Sequence, residues 1–99
     1  MAREDGEEEP VVQLPLDGRL DLHNFRPKDV PALLDAYLDG CRDAGVLQLE
    51  VIHGKGTGAL RRRVHALLSA RDDVLQLRAA DEARGGWGVT LVTLRGAQR

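Results

Sequence analysis

Five residues carry side chains able to manage a phosphate or a proton, and they fall at matched places along the chain: Asp21 and His23 in "RLDLH", then His53, Lys55 and Arg61 in "VIHGKGTGALRRR". Histidine titrates near neutral pH and can act as base or acid. A neighbouring carboxylate can orient it or hold a divalent cation. Glycines let backbone amides approach an anion closely, and the start of a helix favours negative charge. The spacing therefore points to phosphate chemistry. It is not a Walker A loop, because that pattern needs Gly-x4-Gly-Lys-Ser/Thr, whereas Leu49 takes the first glycine position and Gly56 follows Lys55. Nucleoside triphosphate hydrolysis and a nucleotide cofactor are not expected.

Each residue also has a plainer reading. His23 and His53 can simply hydrogen-bond loops at strand ends, and Thr57 can be an N-cap. Two histidines at equivalent strand ends favour a shared site. Three arginines in a first helical turn (Arg61, Arg62 and Arg63) oppose the helix dipole and suit a phosphodiester backbone docked there. His65, farther along that helix, reads as surface. Trp87, the single tryptophan, sits between glycines and can stack on a base or cover the sheet edge. Asp21 is the sole carboxylate of the expected cluster and its candidate metal ligand, for Mg2+ or Mn2+, so two-metal catalysis is not expected.

Periodicity supplies the elements that must position these groups. "RLDLH" (19–23) alternates, with Leu20 and Leu22 on one face and Asp21 and His23 on the other. Val30, Leu33, Leu34, Tyr37, Leu38 and Cys41 form a helical stripe, with Asp29 as its N-cap and Gly45 as its C-cap. "VLQLEVIH" (46–53) is nearly continuous in apolar residues, as a buried central strand would be. A second helix spans 59–70, a third strand 74–80 and a fourth 89–94. The expected fold is an α/β (α+β) two-layer sandwich, β-α-β-α-β-β, with two helices on a four-stranded mixed sheet. The first two crossovers are parallel and the last two strands form an antiparallel hairpin. Both histidines then reach the carboxyl edge, where open α/β sheets build their sites.

At 99 residues, 42% hydrophobic and 30% charged, the chain suits one small soluble domain. Residues 1–18 read as an acidic, proline-containing and partly disordered extension, 19–95 as the domain and 96–99 as a tail. Five of the 16 acids but one of the 14 bases fall in residues 1–9, so the folded part is mildly basic. The acidic opening lacks a signal peptide's pattern, and no run nears the roughly 18 apolar residues of a membrane span. With a single cysteine, a cytoplasmic monomer or weak homodimer is expected, with no membrane partner.

Three blocks, "LDLH" (20–23), "IHGKGTGALR" (52–61) and "GGWGVTLVTL" (85–94), closely resemble the Smr (small MutS-related) domain family, in its short free-standing bacterial form. The resemblance covers roughly residues 19–95 and implies a fold similar to the C-terminal domain of bacterial translation initiation factor three. It implies DNA, branched or duplex, as partner, with RNA as an alternative, and a nicking or structure-selective endonuclease linked to DNA repair or recombination. A binding module without catalysis and an RNA endonuclease are the rival readings. It implicates Asp21, His23 and His53, which are expected in catalysis, and Gly54, Lys55, Gly56, Thr57, Gly58 and Arg61, which are expected in binding, with Gly86, Gly88 and Thr90 from the third block. Arg62 and Trp87 join the expected binding residues from the arginine cluster and the glycine-flanked loop. One departure stands out: Asn24 follows His23 where the family has glycine.

Overall fold

A computed structural model describes residues 14–84 and 86–96, without the side chains of Arg84 and Trp87. The acidic segment 1–9 and the tail 97–99 lie outside the described residues. Strands β1 (Arg19–Asp21), β2 (Gln48–Ile52), β3 (Val74–Ala79) and β4 (Val89–Leu94) alternate with helices α1 (Val30–Asp43) and α2 (Ala59–Ser69) in the order β1-α1-β2-α2-β3-β4. The strands form one mixed sheet in the order β1-β2-β4-β3. β1 runs parallel to β2, and β4 lies antiparallel to both β2 and β3. β3 therefore runs parallel to β2, with β4 inserted between them. The expected sandwich, both parallel crossovers and the closing hairpin are all present.

The central strand differs in one respect from the continuous apolar run expected of it. β2 alternates, with Leu49 and Val51 buried but Gln48 exposed and Glu50 and Ile52 only half-buried. The helices cover one face of the sheet. Leu20, Leu22, Leu49, Val51, Val92 and Leu94 meet the α1 stripe and Val64 and Leu68 of α2 in a single core. The other face carries Arg19, Gln48, Glu50, Gln76, Arg78 and Thr93 along a shallow polar groove.

α1 begins where proline chemistry allows. A 3-10 turn over Pro27–Asp29 leads into Val30, and Pro31 occupies the first helical turn, where its missing N–H costs nothing. The helix ends in a Schellman motif: Val46 N–H bonds to Cys41 O at 2.8 Å and Gly45 N–H to Arg42 O at 3.1 Å. Tyr37, fully buried, anchors the entry to β1. Its hydroxyl accepts from Gly18 N–H at 3.2 Å and Arg19 N–H at 3.1 Å and donates to Pro15 O at 3.0 Å. Burial above all pushes its pKa up to about 12. No described helix is long and apolar enough to cross a membrane.

A charge network ties α1 to the turn before β3. Asp73 accepts from Arg71 Nε at 3.0 Å and from Arg42 Nη1 at 2.7 Å, while Arg71 also reaches Asp35 at 3.1 Å and Asp39 at 2.7 Å. The Arg71 guanidinium beside Asp73 holds that carboxyl down to about 2. A depressed carboxylate pKa adds stability above its unfolded value near 3.9 and loses it as pH falls through the folded value. At about 1.4 kcal/mol per pKa unit this is worth about 2 kcal/mol at neutral pH. Urea denaturation of Asp73→Asn should therefore show a deficit of about 2 kcal/mol at pH 7 that largely disappears near pH 2. An equal deficit at both pH values would contradict this account.

Candidate nucleic-acid site at the carboxyl edge

β1 and β2 end side by side, because Leu22 N–H continues the parallel ladder to Ile52 O at 2.8 Å. The chain beyond β1 carries His23 and Phe25, and the chain beyond β2 carries His53 and the glycine loop. Asp21 Oδ1 accepts from His23 N–H at 3.0 Å and lies 2.7 Å from His23 Nδ1. Nδ1 therefore carries the proton, and Nε2 of neutral His23 keeps its lone pair on a ring that is 63% exposed. The two bonds to His23 are the main reason the Asp21 pKa lies below its usual value. No described non-glycine residue has a positive φ, so Asn24 takes the family's glycine position without left-handed backbone.

His53 sits differently. It is 6% exposed, and its partners are Gly54, Thr90 and His65. Its Nδ1 lies 3.1 Å from Gly54 O, and a carbonyl can only accept, so Nδ1 is protonated. Nε2 of neutral His53 then accepts, and the donor is the Thr90 hydroxyl at 2.8 Å. With its one proton committed, Thr90 Oγ1 accepts from His65 Nε2–H at 2.9 Å. Every donor in the chain points one way: His65 to Thr90, Thr90 to His53, His53 to Gly54. The two imidazoles meet edge to face, with centroids 6.4 Å apart. Burial is the main cause that lowers both histidine pKa values, with Arg61 adding to each.

His65 thus corrects the surface reading of the sequence. It is half-buried on α2, one residue beyond Val64 and four beyond Arg61, a spacing that puts all three on one face. That spacing was the available signal. The sequence brought His23 and His53 together with Asp21; the structure pairs His23 with Asp21 and His53 with Thr90 and His65.

The glycine loop hangs from β4. Gly88 O accepts both His53 N–H and Gly54 N–H at 3.0 Å. A Cβ on Gly88 would lie 3.0 Å from Lys55 Cγ and 3.3 Å from the Gly54 carbonyl carbon, so a larger residue would have to push the loop back by a few tenths of an ångström. Gly58, at φ +91°, is the N-cap of α2 in place of Thr57, whose hydroxyl instead accepts from Ala59 N–H at 3.3 Å. Lys55, Gly56 and Thr57 are exposed. Beside the loop is a cavity of about 290 Å3, walled by Phe25, Pro27 and Leu60, by His53 and the backbone of Gly54, Gly56 and Gly58, and by Arg61 and Arg63. Of the arginines, Arg63 lines it where Arg62 was expected. Phe25, Pro27, Ala59 and Leu60 are the lining residues that the sequence did not assign to the site. The backbone of Trp87 lies in the 3-10 turn Gly86–Gly88, with its side chain outside the described part.

Asp21 and His23 stand as a pair, and among the described residues no three His, Cys, Asp or Glu side chains gather as a metal site. The donors present do not make a cation site on their own.

Residues 20–95 match the family model of the Smr domain. The chain is 43% identical over 76 residues to Endonuclease MutS2 of Halothermothrix orenii and 45% identical to that of Solidesulfovibrio magneticus, in each case over 77% of this chain and 10% of the relative. It thus spans about a tenth of the length of these curated relatives. Among solved structures, it is similar to the Smr domain of Thermus thermophilus MutS2, with a TM-score of 0.73 and 35% identity over 78% of this chain and 96% of the other. It is also similar to YdaL, a stand-alone small MutS-related protein from Escherichia coli, with a TM-score of 0.75 and 25% identity over 82% and 66%.

Two histidines with depressed pKa values make stability sensitive to mild acid. Their folded values lie below the unfolded value near 6.5, so the unfolded chain takes up protons first and stability falls as pH drops below about 6.5. Denaturation curves from pH 7.5 to 5 should show this slope, and His65→Gln should flatten it. Thr90→Val strands two ring nitrogens and should cost about 1–3 kcal/mol at pH 7. A slope unchanged by His65→Gln would show that the pair does not titrate as described.

Proposed function

Because the chain belongs to the Smr domain family, we propose that it binds nucleic acid at the carboxyl edge of β1 and β2 and hydrolyses phosphodiester bonds there, as a nicking or structure-selective DNA endonuclease. Action on branched DNA would give it a place in repair or recombination. The observation that carries the reading is the cavity at this edge: Phe25 and Pro27, from the chain just beyond the Asp21–His23 pair, line it together with the glycine loop, Arg61 and Arg63, while the pair itself is not among the lining residues.

The roles divide by geometry. His23, oriented by Asp21 and open to solvent at Nε2, takes the proton from the attacking water. Asp21 holds the ring in the Nδ1–H tautomer and stabilises the imidazolium that results. The loop amides, Lys55 and Arg61 meet the phosphoryl oxygens, where charge develops. His53 has both nitrogens engaged and serves to hold the loop. Trp87 remains a proposed base contact and Arg62 a proposed backbone contact.

The same engagement of His53 favours one alternative, a module that binds without cutting, on DNA or RNA. A nicking assay on supercoiled plasmid separates the two readings. His23→Ala should slow nicking by about 10²–10⁴ while leaving affinity within a few fold, the range for one general base. Lys55→Ala should weaken binding at low salt and flatten its salt dependence. Salt-dependent binding with no cleavage by the unaltered protein would favour the module. Cleavage that survives both substitutions would refute the assignment.

A further inference from the structure

The cavity has one feature that the phosphate chemistry does not use. Phe25 follows β1 in a tight turn whose backbone is fixed, since its N–H donates to Leu22 O at 3.0 Å. Its ring is nonetheless 36% exposed and lines the cavity, and it is the one aromatic among the exposed large apolar side chains described. The core closes without it. Pro27 and Leu60 add apolar surface to the lining, and the glycine loop, Arg61 and Arg63 line the same cavity.

An aromatic face lining the same cavity as two arginines and a glycine loop suits a ligand that joins an aromatic ring to an anion by a short linker. A nucleotide has that form. In a continuous duplex the faces of the bases are stacked on one another and cannot reach such a wall, whereas an unpaired or extruded nucleotide can. At about 290 Å3, the cavity lies near the lower end of ligand pockets and takes one such unit, not a base pair with its neighbours.

We infer that this cavity holds a single unstacked nucleotide, its base against Phe25 and its phosphate toward the glycine loop, Arg61 and Arg63, so that the protein selects strands carrying an unpaired nucleotide over continuous duplex. The inference rests on the nucleic-acid reading of the same edge and adds its substrate class. The unpaired nucleotide can belong to DNA or RNA, and both chemistries share the recognition.

Fluorescence anisotropy tests it with three labelled probes, each made as DNA and as RNA: a short continuous duplex, the duplex with one bulged adenine, and the duplex with that bulge abasic. The protein should bind the adenine bulge about 5- to 100-fold tighter than the abasic bulge, the fold-change of one base–aromatic stack. Phe25→Ala and Phe25→Leu should remove the difference and leave continuous duplex within about twofold, while Phe25→Tyr should keep it. Because the ring is exposed, these variants should retain the thermal unfolding midpoint of the parent. Equal binding of adenine and abasic bulges, or an equal loss on every probe in Phe25→Ala, would overturn the inference and leave the binding reading intact. Failure of all probes to bind at any salt would remove both.

Discussion

A single hydroxyl proton constrains the carboxyl edge of this domain. Thr90 Oγ1 lies within hydrogen-bond distance of two imidazoles but can donate to only one of them, so the carbonyl of Gly54 at the far end of the chain fixes the tautomer of both. The arrangement ties together β4, the end of β2 and the middle of α2, three elements distant in sequence. Thr90 is 1% exposed, so no bulk water stands ready to replace a lost partner. The glycine loop inherits this order directly, since it begins at the residue the chain holds.

The second constraint is the one-sided sheet. Two helices cover one face, so Leu20, Leu22, Leu49, Val51, Val92 and Leu94 point into a single core, while the opposite face mixes the polar groove with Leu91 and Ile52. A domain this small has little interior to share, and its candidate site lies at a strand edge, not in a cleft between layers. Parallel pairing of β1 with β2 puts both of their carboxyl ends at that edge. Antiparallel β4 then brings Gly88, just before its first residue, to the same place. Gly88 can therefore clamp the start of the loop with its carbonyl.

Much of this was legible in the residues. Strand alternation around Leu20 and Leu22, the stripe from Val30 to Cys41 and the glycine stops gave element order and the expected sandwich. The Asp21–His23 pair was legible too, because residues two apart on a strand share a face. Three things were not. β2 reads as continuously apolar, and only the sheet shows that its Ile52 and Glu50 sides face outward. For His65 the sequence offers only its spacing from Arg61 and Val64 on α2, because its partner Thr90 is 25 residues away. Phe25 had no periodic context at all, since it lies in a turn.

By itself, then, the sequence determined what depends on neighbours along the chain: helical stripes, strand alternation, the turns that only glycine makes, and a loop whose composition suits a phosphate. Tertiary structure decided which histidine is sealed and which is open. That choice depends on the proton of a hydroxyl two strands beyond His53 in chain order, and on whether a carbonyl or a carboxylate faces each Nδ1. Such directional, long-range bonds leave no periodic trace, whereas burial of apolar surface does.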